Sequence, residues 1–217
     1  MESNIQNVLG SASPHTLDIA TAYATFASQG TRRDTHIVSS VANNSGSVSY
    51  TPSTDGDKVF DDGVMADSTY AMQQVVNSGS GDTARSLGRP IAAKTGSSSD
   101  NKSAQFVGYT PQIATAVTLY QTGEDGSEES ITPWGEYDEI TGSTYPADIF
   151  TEYMQTALKD LPVEDFPDRT AESYQRGSLN GTSMPVEDDY APAPQPQPTQ
   201  RQAPVPTTAP QPRTEEP

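Results

Sequence analysis

A lysine, two hydroxyls and a glycine stand together at Lys94-Thr95-Gly96-Ser97, and no other stretch of the chain is better suited to chemistry. They end a small apolar run, Pro90-Ile91-Ala92-Ala93, that reads as a strand. The lysine supplies positive charge and the hydroxyls supply hydrogen-bond partners. Gly96, having no side chain, leaves room for a peptide-like substrate to lie along the strand edge. Just beyond, Ser99-Asp100-Asn101-Lys102 spells two further motifs at once: Ser-x-x-Lys, where a lysine one helical turn on activates a serine nucleophile, and Ser-x-Asn. One tetrapeptide in a connecting loop cannot supply two separate walls of a pocket, so it reads as a coincidence of loop composition. Gly88 to Thr95 also comes within one residue of a phosphate-binding loop. There Ala93 replaces the second glycine, Pro90 removes a backbone N–H that phosphates need, and Gly96-Ser97-Ser98-Ser99 is a poor helix start. A P-loop nucleotide binder is therefore only the remote alternative.

The elements that must position Lys94 follow from periodicity and turn residues. After the polar loop Ser98 to Ser103 come two β-rich runs, Gln105 to Tyr109 and Ile113 to Tyr120, joined at Thr110-Pro111-Gln112, which predicts an antiparallel meander. Upstream, Leu17, Ala20, Ala24 and Ala27, widened by Ile19, Tyr23 and Phe26, mark a helix capped by Ser13, with Pro14 in its first turn and a stop at Gln29-Gly30. That helix is expected to be largely buried. Thr35 to Val41 and Ser47 to Thr51 flank Asn43-Asn44-Ser45-Gly46 as a hairpin. A second helix starts near Asp67-Ser68, carries Tyr70, Met72, Val75 and Val76, and ends at Asn77-Ser78-Gly79. A third opens at Thr144-Tyr145-Pro146 and runs through Ile149, Phe150, Tyr153, Met154, Ala157 and Leu158 to Leu161-Pro162. Between strand and third helix, Glu124 to Glu139 holds seven carboxylates and no basic residue. Mutual repulsion makes it a solvated loop, with Trp134 anchoring it to the body, and its spacing fits no calcium loop.

The wording around the lysine is more specific than its shape. Gly-Arg-Pro-(small apolar)-Lys-Thr-Gly-Ser-Ser-x-Asp-Asn-Lys-x-Ala-x-Phe-Val-Gly-Tyr-Thr-Pro, Gly88 to Pro111, resembles the active-site strand region of class A penicillin-binding proteins, actinobacterial type. Three further stretches extend it: Gly10 to Ala27, the Gly79-Ser80-Gly81 link, and Tyr145-Pro146-Ala147-x-Ile149-Phe150 with Phe166-Pro167. Gln105 departs from it, since many members carry Trp there. The resemblance implies that Lys94 contributes positive potential and helps proton transfer, that Thr95 and Ser97 bind a substrate's terminal carboxylate, and that Gly96 lines the site. It implies peptidoglycan stem peptides and β-lactams as partners of the intact relative, at the extracytoplasmic face of the membrane or cell wall. It also implies that the nucleophile motif, the second motif, a glycosyltransferase domain and a membrane anchor would lie upstream of Met1, leaving this chain inactive by itself.

Composition sets the outer limits. Across 217 residues the hydrophobic share is 32%, with 18 prolines and 16 glycines, so part of the chain is not expected to fold. A net charge of −17 with no basic cluster argues against nucleic acid and anionic membranes. No cysteine is present, and His15 and His36 form no metal-ligand spacing, so neither metal nor cofactor is expected. No run reaches transmembrane length and the N-terminus carries no export signal. From about Asp168 large apolar residues nearly vanish and Pro-Ala-Pro-Gln-Pro runs take over, which predicts a disordered tail of polyproline II bias facing the cell wall, without the Pro-x-x-Pro of SH3 ligands. The sequence is thus read as an α+β chain, a partial β-lactamase/transpeptidase-like fold over residues 1–167 followed by a Pro/Gln-rich tail over 168–217. A non-catalytic wall-associated binding module is the alternative.

Overall fold

The computed structural model of the chain describes residues 12–169. The tail expected from residue 168 lies outside them, except for Asp168 and Arg169, as do Gly10 and Ser11. The centre is an antiparallel sheet in the order β5-β6-β7-β8, with β5 Ala92–Ser97, β6 Ser103–Tyr109, β7 Ala114–Thr122 and β8 Glu128–Glu129. Register is set by the meander: Lys94 stands opposite Val107, Thr95 opposite Phe106, Gly96 opposite Gln105, and Gln105 in turn opposite Thr118. β5 is an end strand, so among the described residues one of its edges pairs with no other strand.

Alternation then assigns two faces. Ala93, Thr95, Phe106 and Val117 share one, which α3 (Tyr145–Ala157) covers with Phe150 and Met154. Phe106 and Phe150 meet at 4.7 Å between ring centroids, and Ala84 and Ile91 complete the cluster. Ala92, Tyr109 and Ala114 lie on the other face, covered by Tyr23 and Phe26 of α1 (Thr16–Ala27), Met72 of α2 (Asp62–Asn77) and Phe166. Tyr109 is fully buried there and its hydroxyl pairs with Thr69 at 2.8 Å; burial pushes its pKa up to about 12, with the Thr69 bond opposing in part. On the second face Lys94 and Gly96 of β5 are exposed, while Val107 opposite Lys94 is buried and Gln105 and Thr118 in the Gly96 row are half-buried.

Several local expectations change. Helix α1 is not largely buried: Thr25 is its one buried residue, and Leu17 is 60% exposed, because only the Tyr23 and Phe26 side meets the sheet. Its N-cap is His15 rather than Ser13, and no side chain caps it. Helix α2 begins at Asp62, five residues before Asp67, since Lys58 pins its first turn by pairing with the Asp62 carboxylate and the Gln29 carbonyl. The hairpin is shorter than its hydrophobic pattern suggests, β2 Val41–Ala42 against β3 Val48–Tyr50, with the Asn43 carboxamide accepting from Ser45 and Ser47. Thr35 to Ser40, His36 included, is exposed and outside any strand. A second ribbon, β1 Thr31–Arg33 against β4 Gly56–Lys58, was not legible because its residues are charged or small. The acidic loop also contains a tight turn at Gly123–Ser127, where the Asp125 carboxylate accepts the Ser127 N–H, and this pairs β8 with Gln121 and Thr122.

Candidate active-site wall

Strand β5 presents its chemistry in two directions. Lys94 and Gly96 are exposed on the second face, whereas Thr95 and Ser97 turn toward the face that carries α3. The four residues singled out by sequence therefore sit on one strand but not on one surface, meeting only at its unpaired edge. The Lys94 ammonium makes no ion pair among the described residues and donates to the Thr95 carbonyl at 2.6 Å. An ammonium without a carboxylate partner, in a chain of net charge −17, is available to an anion approaching the edge. Gly96 needs no explanation from internal packing, for a Cβ there would meet only the Gln105 Cβ, at 3.8 Å. The space above it is open.

The two hydroxyls are held from behind. The Thr95 and Ser80 hydroxyls lie 2.6 Å apart, and Ser80 is brought there by the tight link after α2, where a Cβ at Gly79 would come 2.9 Å from the Val75 carbonyl oxygen. The Ser97 oxygen accepts the Gly142 N–H at 3.0 Å and keeps its own proton to donate. Gly142 lies so close to the strand that a Cβ would stand 2.4 Å from the Gln105 carbonyl oxygen and 2.7 Å from the Gly96 nitrogen and oxygen. Sequence reasoning missed Ser80 and Gly142 as parts of the site. The only signals were a serine between two glycines and a glycine just ahead of a helix.

The acidic loop buttresses the same corner. Asn101, in the β5–β6 connection, bonds to the Glu139 carboxylate, and its carbonyl accepts the Ile131 N–H at 2.9 Å. Trp134 does anchor the loop, stacking on Tyr145 with ring centroids 4.8 Å apart, yet it stays 47% exposed. Tyr137 donates to Asp148 at 2.8 Å, and that bond, with burial second, pushes its pKa up to about 12. No group of metal-ligating side chains gathers among the described residues.

Ser99 and Lys102 do not form a nucleophile pair in the geometry that chemistry needs. They flank a turn in which Asp100 and Asn101 have φ of 57° and 50°, so the lysine is not one helical turn from the serine. The Gly88 to Thr95 segment is a turn entering a strand, not a loop entering a helix, which removes the phosphate-binding geometry.

Residues 11–136 match the family described as penicillin binding protein transpeptidase domain. The chain is 38% identical over 170 residues to penicillin-binding protein 1A of Mycolicibacterium smegmatis, covering 75% of this chain and 21% of that protein. It is 36% identical over 171 residues to penicillin-binding protein 1A of Mycobacterium tuberculosis, covering 75% and 20%. The chain thus spans about a fifth of the length of these curated relatives. Among solved structures, the Mycobacterium tuberculosis PonA1 protein in complex with penicillin V aligns with a TM-score of 0.63 at 33% identity, over 77% of this chain and 44% of that one. Penicillin-binding protein 1A from Haemophilus influenzae aligns with a TM-score of 0.63 at 19% identity, over 76% and 29%, a likeness of fold.

Proposed function

The chain belongs to the penicillin-binding protein transpeptidase family, and from that premise we propose that it supplies the Lys-Thr-Gly wall of a peptidoglycan D,D-transpeptidase that cross-links stem peptides and is acylated by β-lactams. The observation that carries this reading is Lys94: an exposed ammonium that makes no ion pair among the described residues, beside a glycine with open space above it, on a strand edge that pairs with no other described strand. A peptide laid along that edge places its terminal carboxylate near Lys94 and near the Ser97 hydroxyl, whose proton remains to be donated. Thr95, paired with Ser80, contributes a second hydroxyl once the carboxylate competes for it. The positive potential of Lys94 also stabilises charge developing in acyl transfer and aids proton movement at the nucleophile. The nucleophilic serine with its lysine, and the Ser-x-Asn segment, come in this reading from sequence outside residues 1–217. The working site then lies at the extracytoplasmic face of the membrane. The described residues contain no helix long and apolar enough to cross one.

Intact-mass measurement after incubation with excess penicillin tests the reading. The chain alone should gain no adduct. The same chain joined behind the preceding part of the Mycolicibacterium smegmatis transpeptidase domain should gain one, mapped to a serine of the supplied part. A stable adduct on Ser97, Ser98 or Ser99 of the chain alone would overturn the division of labour. A folded chimera that never labels would favour the non-catalytic wall-binding module.

A further inference from the structure

The Thr95 hydroxyl has one proton, and it can be used in two directions: back toward Ser80 or forward to a ligand at the strand edge. Its oxygen lies 2.6 Å from the Ser80 oxygen, and neither hydroxyl bonds to any other described residue. With Thr95 as the donor of that bond, its proton is spent and only lone pairs remain for the ligand, which a carboxylate avoids. With Ser80 as the donor, the Thr95 oxygen is satisfied from behind and its own proton is left for the ligand. A carboxylate has only acceptors, so its arrival selects the second state. Ser97 already has the same arrangement, its oxygen accepting the Gly142 N–H. Each of the two hydroxyls thus has a donor behind it.

Ser80 is held where that role needs it. Beyond the end of α2 at Asn77, the Gly81 N–H donates to the Val75 carbonyl at 2.8 Å. A Cβ at Gly79 would stand 2.9 Å from that carbonyl oxygen, and one at Gly81 would stand 3.2 Å from it and 3.3 Å from the Phe106 ring. The link therefore lies flat against its neighbours at both glycines, and the serine between them carries the one side chain, which reaches β5. Ser80 is itself exposed, so its hydroxyl holds up no part of the core. A hydroxyl that accepts a hydrogen bond is also the stronger donor, because bonds in a chain polarise one another. We propose that Ser80 is a positioning residue: it donates to Thr95 and so turns the Thr95 proton toward the substrate's terminal carboxylate. This rests on the transpeptidase-wall reading and extends it by one residue behind the wall.

The test uses the full chain, isotope-labelled, titrated with two synthetic peptides that end in D-alanyl-D-alanine, one with a free terminal carboxylate and one with that terminus as an amide. The carboxylate peptide should bind the parent more tightly and shift the amides of Lys94 to Ser97. Ser80→Ala should weaken it about fivefold, the scale of one hydrogen bond, and weaken the amide peptide by less, since a charged acceptor gains more from a polarised donor. Ser80→Thr, which keeps a hydroxyl, should restore the parent affinity, and Ser80→Cys, a weak donor, replaces the alanine variant if that one loses its fold. In a Thr95→Val background, Ser80→Ala should have no further effect, because Ser80 acts only through the Thr95 hydroxyl. An unchanged carboxylate affinity in Ser80→Ala, or the same fivefold loss in the Thr95→Val background, would overturn the role of Ser80 while leaving the wall intact. Failure of both peptides to shift the amides of Lys94 to Ser97 would instead overturn the wall itself, and this inference with it.

Discussion

At the scale of single residues, the site was legible where its signal is local and hidden where it is tertiary. Lys94, Thr95, Gly96 and Ser97 are consecutive, and their types alone suggest a cation and hydroxyls around a gap. Ser80 and Gly142 reach the strand from 15 and 45 residues away, and nothing in their own neighbourhoods announces that contact. Tyr109 is a second case, since its partner Thr69 lies 40 residues off. Tyr109→Phe should cost about 1–2 kcal/mol in urea unfolding, because the Thr69 hydroxyl is then buried without a partner. The same residue gives a pH dependence. In the folded chain Tyr109 keeps its proton up to about 12, against 10.0 for an ordinary tyrosine. Between those values the unfolded chain binds fewer protons, so stability that is fully present below pH 10 falls as pH rises toward 12. The loss from this group is on the order of 2 kcal/mol. Comparing unfolding midpoints at pH 9 and at the top of that window should show the drop, and Tyr109→Phe should flatten it. Tyr23 and Tyr137, also raised, add to the slope in the same direction.

At the scale of elements, β5 is held on one face and, at Lys94 and Gly96, exposed on the other, and two glycines separate these roles. Gly142→Ala forces a methyl against the Gln105 carbonyl and the Gly96 backbone, and should destabilise the fold by roughly 1–3 kcal/mol. Gly96→Ala meets open space and should change stability by less than about 1 kcal/mol, while obstructing any peptide on the edge. Parallel denaturation curves and penicillin labelling of the chimera would separate the two: the first variant loses stability, the second loses labelling. The meander and α3 were readable because alternation and helical spacing run long enough to be unambiguous. The β1–β4 ribbon was not, being two three-residue strands whose pairing joins residues 23 to 27 apart with no hydrophobic pattern. The expected burial of α1 overreached for a related reason: its small residues predict a packed face, but how much of a helix is covered depends on what layers surround it.

At the scale of the whole molecule, we propose that the packed body ends near residue 167 and that the Pro-rich segment beyond contributes little to stability. Phe166 belongs to the core, packing on Tyr109 at 5.4 Å between centroids. Arg169 still pairs with Asp67 at 2.6 Å and lies over the Tyr70 ring. Truncation after Arg169 should therefore leave the melting temperature unchanged, whereas truncation after Asp168 should lower it by the few degrees that about 1 kcal/mol represents. Differential scanning calorimetry of the two truncations against the full chain checks both. A large loss from the first would show that residues beyond 169 pack on the body.

We propose that Lys94 serves a binding wall and not the core. The direct measurement is the rate of labelling by fluorescent penicillin in the chimera with the Mycolicibacterium smegmatis upstream segment, parent against Lys94→Ala. Removing an exposed ammonium with no ion pair among the described residues should leave the melting temperature within about a degree, while acylation slows by two orders of magnitude or more, on the order of 3 kcal/mol of lost electrostatic stabilisation. Equal labelling rates in two equally stable proteins would contradict the claim.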